Sequence, residues 1–91
     1  MRDKSFIINS IKMDLHRVVT AAGDVRKELP RELISAFLKH ADQDFDKTEL
    51  SQREMLLRQQ LRSAAKELNN LQDPHKRLRW ADDVLTIRCR L

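Results

Sequence analysis

Tyrosine is missing from the chain, glycine occurs once, proline twice and cysteine once, and no apolar run is longer than three residues. Each scarcity removes a class of protein. A sheet needs turn formers between its strands and aromatic or β-branched residues within them, and this composition is short of turn formers and aromatics. A phosphate-cradling loop needs several glycines, and Gly23 stands alone. Cys89 has no second cysteine to pair with, and no basic start leads into an apolar leader core. A reducing, cytoplasmic setting is therefore expected. Runs such as FII and MLL fall far short of the roughly 20 apolar residues that cross a bilayer, so no membrane contact is expected.

What the chain does have is charge and helix-forming apolar residues. Charged residues make up 35% and apolar ones 41%, enough for one packed core in a domain spanning residues 1–91. The net charge of +4 makes the chain basic, which permits contact with nucleic acid or an acidic partner without requiring either.

The apolar spacing follows a helical period. Ile7, Ile11, Leu15, Val18 and Ala22 form one stripe, which predicts a first helix near 5–22, with Gly23 placed after it as a left-handed stop. Pro30 suits a helix start, and Leu33, Ile34, Phe37, Leu38, Ala41 and Phe45 give the apolar arc of a second helix near 30–45. Leu50, Leu57, Leu61, Ala64, Leu68 and Leu71 form a narrow leucine seam that predicts a third helix near 48–71. Asp73 and Pro74 then make a cap and first position for a fourth helix near 74–90. Four helices of similar length with short connections predict an all-α, antiparallel four-helix bundle.

The segment HADQDFDKTELSQRE tests for a metal loop. Asp42, Asp44 and Asp46 match the first three ligand positions of a calcium-binding EF-hand, but Lys47 occupies the glycine position and Arg53 the place of the bidentate glutamate. The stretch reads instead as a helix end followed by a new start, with capping-box spacing at Asp46 and Glu49 and again at Ser51 and Glu54. His16, His40 and His75 lie on separate segments without a paired metal-ligand spacing. Cys89 has arginine neighbours but no identifiable base, and no serine or threonine sits in a nucleophile motif. No catalytic, cofactor or metal residue is assigned, and the chain is expected not to be an enzyme.

Two surfaces remain. Helix four carries two adjoining apolar stripes, Leu78, Ala81 and Leu85 in one and Trp80, Val84, Ile87 and Leu91 in the other, and Phe6 and Met13 lie opposite the core stripe of the first helix. Apolar surface beyond what one interface needs predicts a partner contact at Trp80, Val84, Ile87, Leu91, Phe6 and Met13, with helix four pairing in a homodimer. Arg77 and Arg88 fall near the middle of the same arc, where a buried guanidinium needs acceptors, as an interface would supply. The second surface is basic. Arg58, Arg62 and Lys66 stand four apart on helix three, and with Lys76, Arg77 and Arg79 they form the alternative, a nucleic-acid contact, unless Glu54 pairs with Arg58 along the helix. The expectation is thus a non-enzymatic, cytoplasmic helical interaction or adaptor protein that binds a protein partner or itself, with nucleic-acid binding as the alternative.

Overall fold

The computed structural model describes residues 3–91 as four helices in sequence: α1 (Lys4–Gly23), α2 (Arg31–Phe45), α3 (Gln52–Glu67) and α4 (Pro74–Arg90), with a single 3-10 turn (Leu68–Asn70) continuing α3. No strand occurs among the described residues.

Side chains close three of the four helix starts. Asp3 accepts the Phe6 N–H at 2.9 Å and Asp73 accepts the His75 N–H at 2.9 Å, with Pro74 at the first position of α4. Ser51 and Glu54 form a reciprocal capping box at 2.8 and 3.2 Å, which fixes the start of α3 at Gln52. Each cap satisfies an N–H that the first turn leaves open, typically contributing about 1 kcal/mol. The spacing of Asp46 and Glu49 does not form such a box, because Asp46 closes the C-terminus of α2 and pairs with Arg58 at 2.8 Å. The α3 helix is accordingly shorter than the leucine seam implies. Leu50 precedes it in the connector and still packs on the core, while Leu68 and Leu71 stay buried beyond its last α-helical turn.

The end of α1 departs from expectation in a different way. Gly23 is helical, and no described residue has a positive φ. A left-handed glycine normally lets the following N–H groups reach the free carbonyls of the last turn. Here Arg77 takes that part. Its buried guanidinium donates to Ala22 O at 2.7 Å, Ala21 O at 3.3 Å, Asp24 O at 2.7 Å and Lys27 O at 2.7 Å. The cation also sits at the negative end of the α1 dipole.

The helices form a ring in which α1 adjoins α2 and α4, and α3 closes the circuit between them. Neighbours run antiparallel. Along α1 and α2, Ser10 meets Asp44, Asp14 meets His40, and Arg17 lies over Phe37, so one helix ascends as the other descends. Between α1 and α4, Arg77 reaches Ala22 while Arg88 donates to Lys12 O at 3.1 Å. The core combines Ile11, Leu15 and Val18 of α1 with Ile34, Leu38 and Phe45 of α2, Leu57 and Leu61 of α3, and Val84 and Ile87 of α4. Packing is closest around α1 and loosest around α3.

Helix four corrects the sequence reading. Trp80, Val84 and Ile87, expected at a partner interface, are buried in the chain's own core, and Leu91 packs against it half-buried. The Trp80 indole N–H donates to Ala64 O at 2.8 Å, so the polar edge of the ring is satisfied inside the bundle. Leu78 and Leu85 are the exposed apolar residues of α4, at 43% and 39%, while Ala81 of the same stripe is buried. Arg77 and Arg88 determine this orientation, since both must face the α1 main chain.

Candidate functional site

Two polar assemblies flank α2. The first lies against α1. Asp14 and Asp44 are buried, yet each has a cationic neighbour: Arg17 is 3.5 Å from Asp14, and Lys47 is 2.8 Å from Asp44. His40 stands between the two carboxylates, with Nδ1 2.6 Å from Asp14 and 3.7 Å from Asp44, and the Ser10 hydroxyl donates to Asp44 at 2.9 Å. The Asp14 hydrogen bond and charge, helped by Asp44, raise the His40 pKa above its ordinary value. Burial opposes ionisation of Asp44, but hydrogen bonds from Lys47 and Ser10 outweigh it and hold its pKa below the ordinary one. One donor atom each from Asp14, His40 and Asp44 lies within 4.8 Å of the others, which is metal-ligand proximity. A divalent ion there would have to displace Lys47 and the His40 proton, because the chain's own cations already neutralise these carboxylates. The assembly works as an electrostatic clasp between α1 and α2. Sequence spacing missed it, although His40 and Asp44 stand one helical turn apart, because Asp14 arrives from another helix.

The second assembly lies between α2 and α3. Arg58 Nε and Arg62 Nε donate to Asp42 at 3.0 and 2.9 Å, Arg58 also reaches Asp46, and its guanidinium lies 5.7 Å from the centre of the Phe45 ring. Hydrogen bonding from Arg58, then from Arg62, outweighs burial and lowers the Asp42 pKa, while hydrogen bonds to Asp42 and then Asp46 push that of Arg58 further up. The pairing of Arg58 with Glu54 along α3, the alternative to a free basic stripe, does not form. Glu54 is taken instead by Lys4 at 2.6 Å and by the capping box, and these hold its pKa down.

These contacts redistribute the six basic residues considered for nucleic acid. Arg77 is buried against α1, Arg58 is committed to Asp42 and Asp46, and Arg62 shares Asp42. Lys66, Lys76 and Arg79 remain exposed. Of the six residues expected at a partner interface, only Phe6 and Met13 are strongly exposed, at 54% and 56%.

Beside Asp42 the α2–α3 seam opens into a cavity of about 340 Å³. Leu38, Leu61 and Leu68 make its floor, and Lys39, Arg62 and Lys66 stand at its edge. A second cavity of about 450 Å³, walled by Arg31, Ala36 and Asn69, shares Ser35, Lys39, Ala65 and Leu68 with the first, so the two form one groove. The groove exists because the facing positions Ser35, Ala36 and Ala65 are too small to fill the space between the helices. Nothing in the apolar periodicity marks these positions. The opposite flank of α3 also opens, into a cavity of about 330 Å³ over Trp80, but its wall carries Glu67 and Asp83. Comparison with protein-family models, with curated proteins and with solved structures gives no match, and the functional reading rests on the chemistry of this chain.

Proposed function

We propose that the chain is a non-enzymatic helical interaction protein that receives a segment of a partner protein in the groove between α2 and α3. The observation that carries this reading is the apolar recess between α2 and α3, whose bottom is the buried Leu38, Leu61 and Leu68 and whose open walls are small residues and cations. An apolar recess with a few polar groups at its edge is the usual form of a recognition site, and filling it with apolar groups is favourable. Ala65→Trp fills the groove from its exposed wall and tests the proposal. Proteins captured by the wild type should be lost by Ala65→Trp and retained by Met13→Ser, with helical circular dichroism unchanged in both. Capture of the same proteins by all three would remove the groove from the function.

Self-association through α4, the form of interaction expected from the sequence, would use exposed Leu78 and Leu85 in place of the buried Trp80 stripe. The nucleic-acid alternative keeps exposed Lys66, Lys76 and Arg79 as its contacts. Phosphate contacts of that kind would give an affinity that falls steeply with salt in a mobility-shift assay.

A further inference from the structure

Resting on the reading of the α2–α3 groove as a protein-docking site, we infer that its occupant is an acidic amphipathic helix contributed by the partner. Length comes first. The α2 wall runs from Arg31 to Asp42, about 16 Å at a helical rise of about 1.5 Å per residue, and the α3 wall from Leu61 to Asn69, about 12 Å. That is room for two to three helical turns. An elongated recess between two helices suits a third helix, and Ser35, Ala36 and Ala65 allow its backbone to come close where larger residues would hold it away. Apolar side chains spaced three or four apart on the incoming face then enter the recess above Leu38, Leu61 and Leu68, between Ala65 and the stems of Lys39 and Lys66.

Charge decides the composition of the flanks. Lys39 and Lys66, both exposed, have no acidic partner among the described residues, and Arg62 shares its only carboxylate, Asp42, with Arg58. Glu32 and Asp42 are the acidic residues of the groove walls, and Asp42 is already covered by two guanidinium groups. A helix with Asp or Glu beside its apolar stripe supplies the missing acceptors on both sides. A phosphodiester backbone would satisfy the cations but leave the apolar recess unfilled, and a short carboxylic acid would fill only part of the length.

The test uses three synthetic helical peptides of about three turns: leucines at i, i+3 and i+7 flanked by glutamates, the same peptide with lysines for glutamates, and the acidic composition scrambled to destroy the stripe. Binding to the full-length chain is followed by amide chemical shifts. The acidic amphipathic peptide should move the amides of Ser35, Lys39, Ala65 and Lys66, weaken with salt, and lose at least tenfold in affinity for the exposed-surface double variant Lys39→Glu, Lys66→Glu. That variant should favour the lysine peptide. Equal binding of the lysine or scrambled peptide in the groove, or groove shifts caused by decanoate or an oligonucleotide but not by the acidic peptide, would overturn the acidic helix and leave the groove standing. Shifts elsewhere, or none with any peptide, also overturn it. The groove itself is judged separately, by whether Ala65→Trp loses the captured partner.

Discussion

Replacing Arg77 with methionine keeps the length of the aliphatic stem and deletes the cation that closes α1. Arg77 is 6% exposed, and its guanidinium serves four carbonyls, three of them at 2.7 Å. A hydrogen bond to a charged group contributes about 1.5–3 kcal/mol net, and a buried acceptor left without a donor costs about 1–3 kcal/mol. The four terms do not add. The bonds to Ala21, Asp24 and Lys27 are only partly buried, so water recovers some of them, whereas the bond to Ala22 is fully buried. The fully buried bond to Ala22 and a reduced share of the other three give an expected loss of about 2–4 kcal/mol for Arg77→Met. It is a large share of the roughly 5–15 kcal/mol by which a domain is stable. Arg77→Lys should fall between, because an ammonium has three donors for four acceptors and no planar fork. Arg79, exposed and two residues away, is the control, and Arg79→Met should change stability by less than about 0.5 kcal/mol. Urea unfolding followed by far-ultraviolet circular dichroism measures all three. A loss below about 1 kcal/mol for Arg77→Met, or one equal to that of Arg79→Met, would refute the assignment of Arg77 as the terminator of α1.

The same geometry makes Gly23 dispensable: its φ is not positive and a Cβ there meets nothing within 4 Å. Gly23→Ala should therefore raise stability by about 0.4–1 kcal/mol in the same urea assay, and a loss of that size would restore the left-handed cap. His40 gives a pH dependence. Because Asp14 and Asp44 raise its pKa in the folded state, its stabilising contribution is complete below the ordinary value of 6.5 and is lost as pH rises through the folded-state pKa. The difference in melting temperature between wild type and His40→Gln should shrink toward alkaline pH, with the His40 ring protons titrating at a midpoint above 6.5. A midpoint at or below that value would dissolve the clasp.

The features that the sequence disclosed are those whose causes are local. Asp73 before Pro74, and Ser51 three residues before Glu54, act within one turn, and Leu57, Leu61 and Ala64 of the leucine seam repeat within one helix. Most of the misplacements involve a partner a dozen or more residues away. Gly23 looked like a terminator because the sequence cannot show that Arg77 occupies the carbonyls a left-handed glycine would have served. The two stripes of α4 are separated by a fraction of a turn, and periodicity alone does not say which faces inward. That choice follows from Arg77 and Arg88 reaching α1 and from Trp80 reaching Ala64. The regular spacing of Arg58 and Arg62 resembled a free basic face until Asp42 of α2 appeared opposite them.

The groove was hidden for another reason. Helix prediction weighs large apolar residues, and the α2–α3 opening results from small ones, Ser35, Ala36 and Ala65, at positions where a leucine would have completed the packing. Polar groups reinforce both seams that meet on α2, the His40 clasp toward α1 and the Arg58–Asp42 pair toward α3. Toward the N-terminal half of α2 the second seam has no such fastening among the described residues, and Lys39 and Lys66, on either side of the gap, form no ion pair with a described residue. If the space were only imperfect packing, a larger apolar residue at position 65 would stabilise the fold and change nothing else. A docking site requires Ala65→Trp to abolish partner capture while its helical circular dichroism stays that of the wild type.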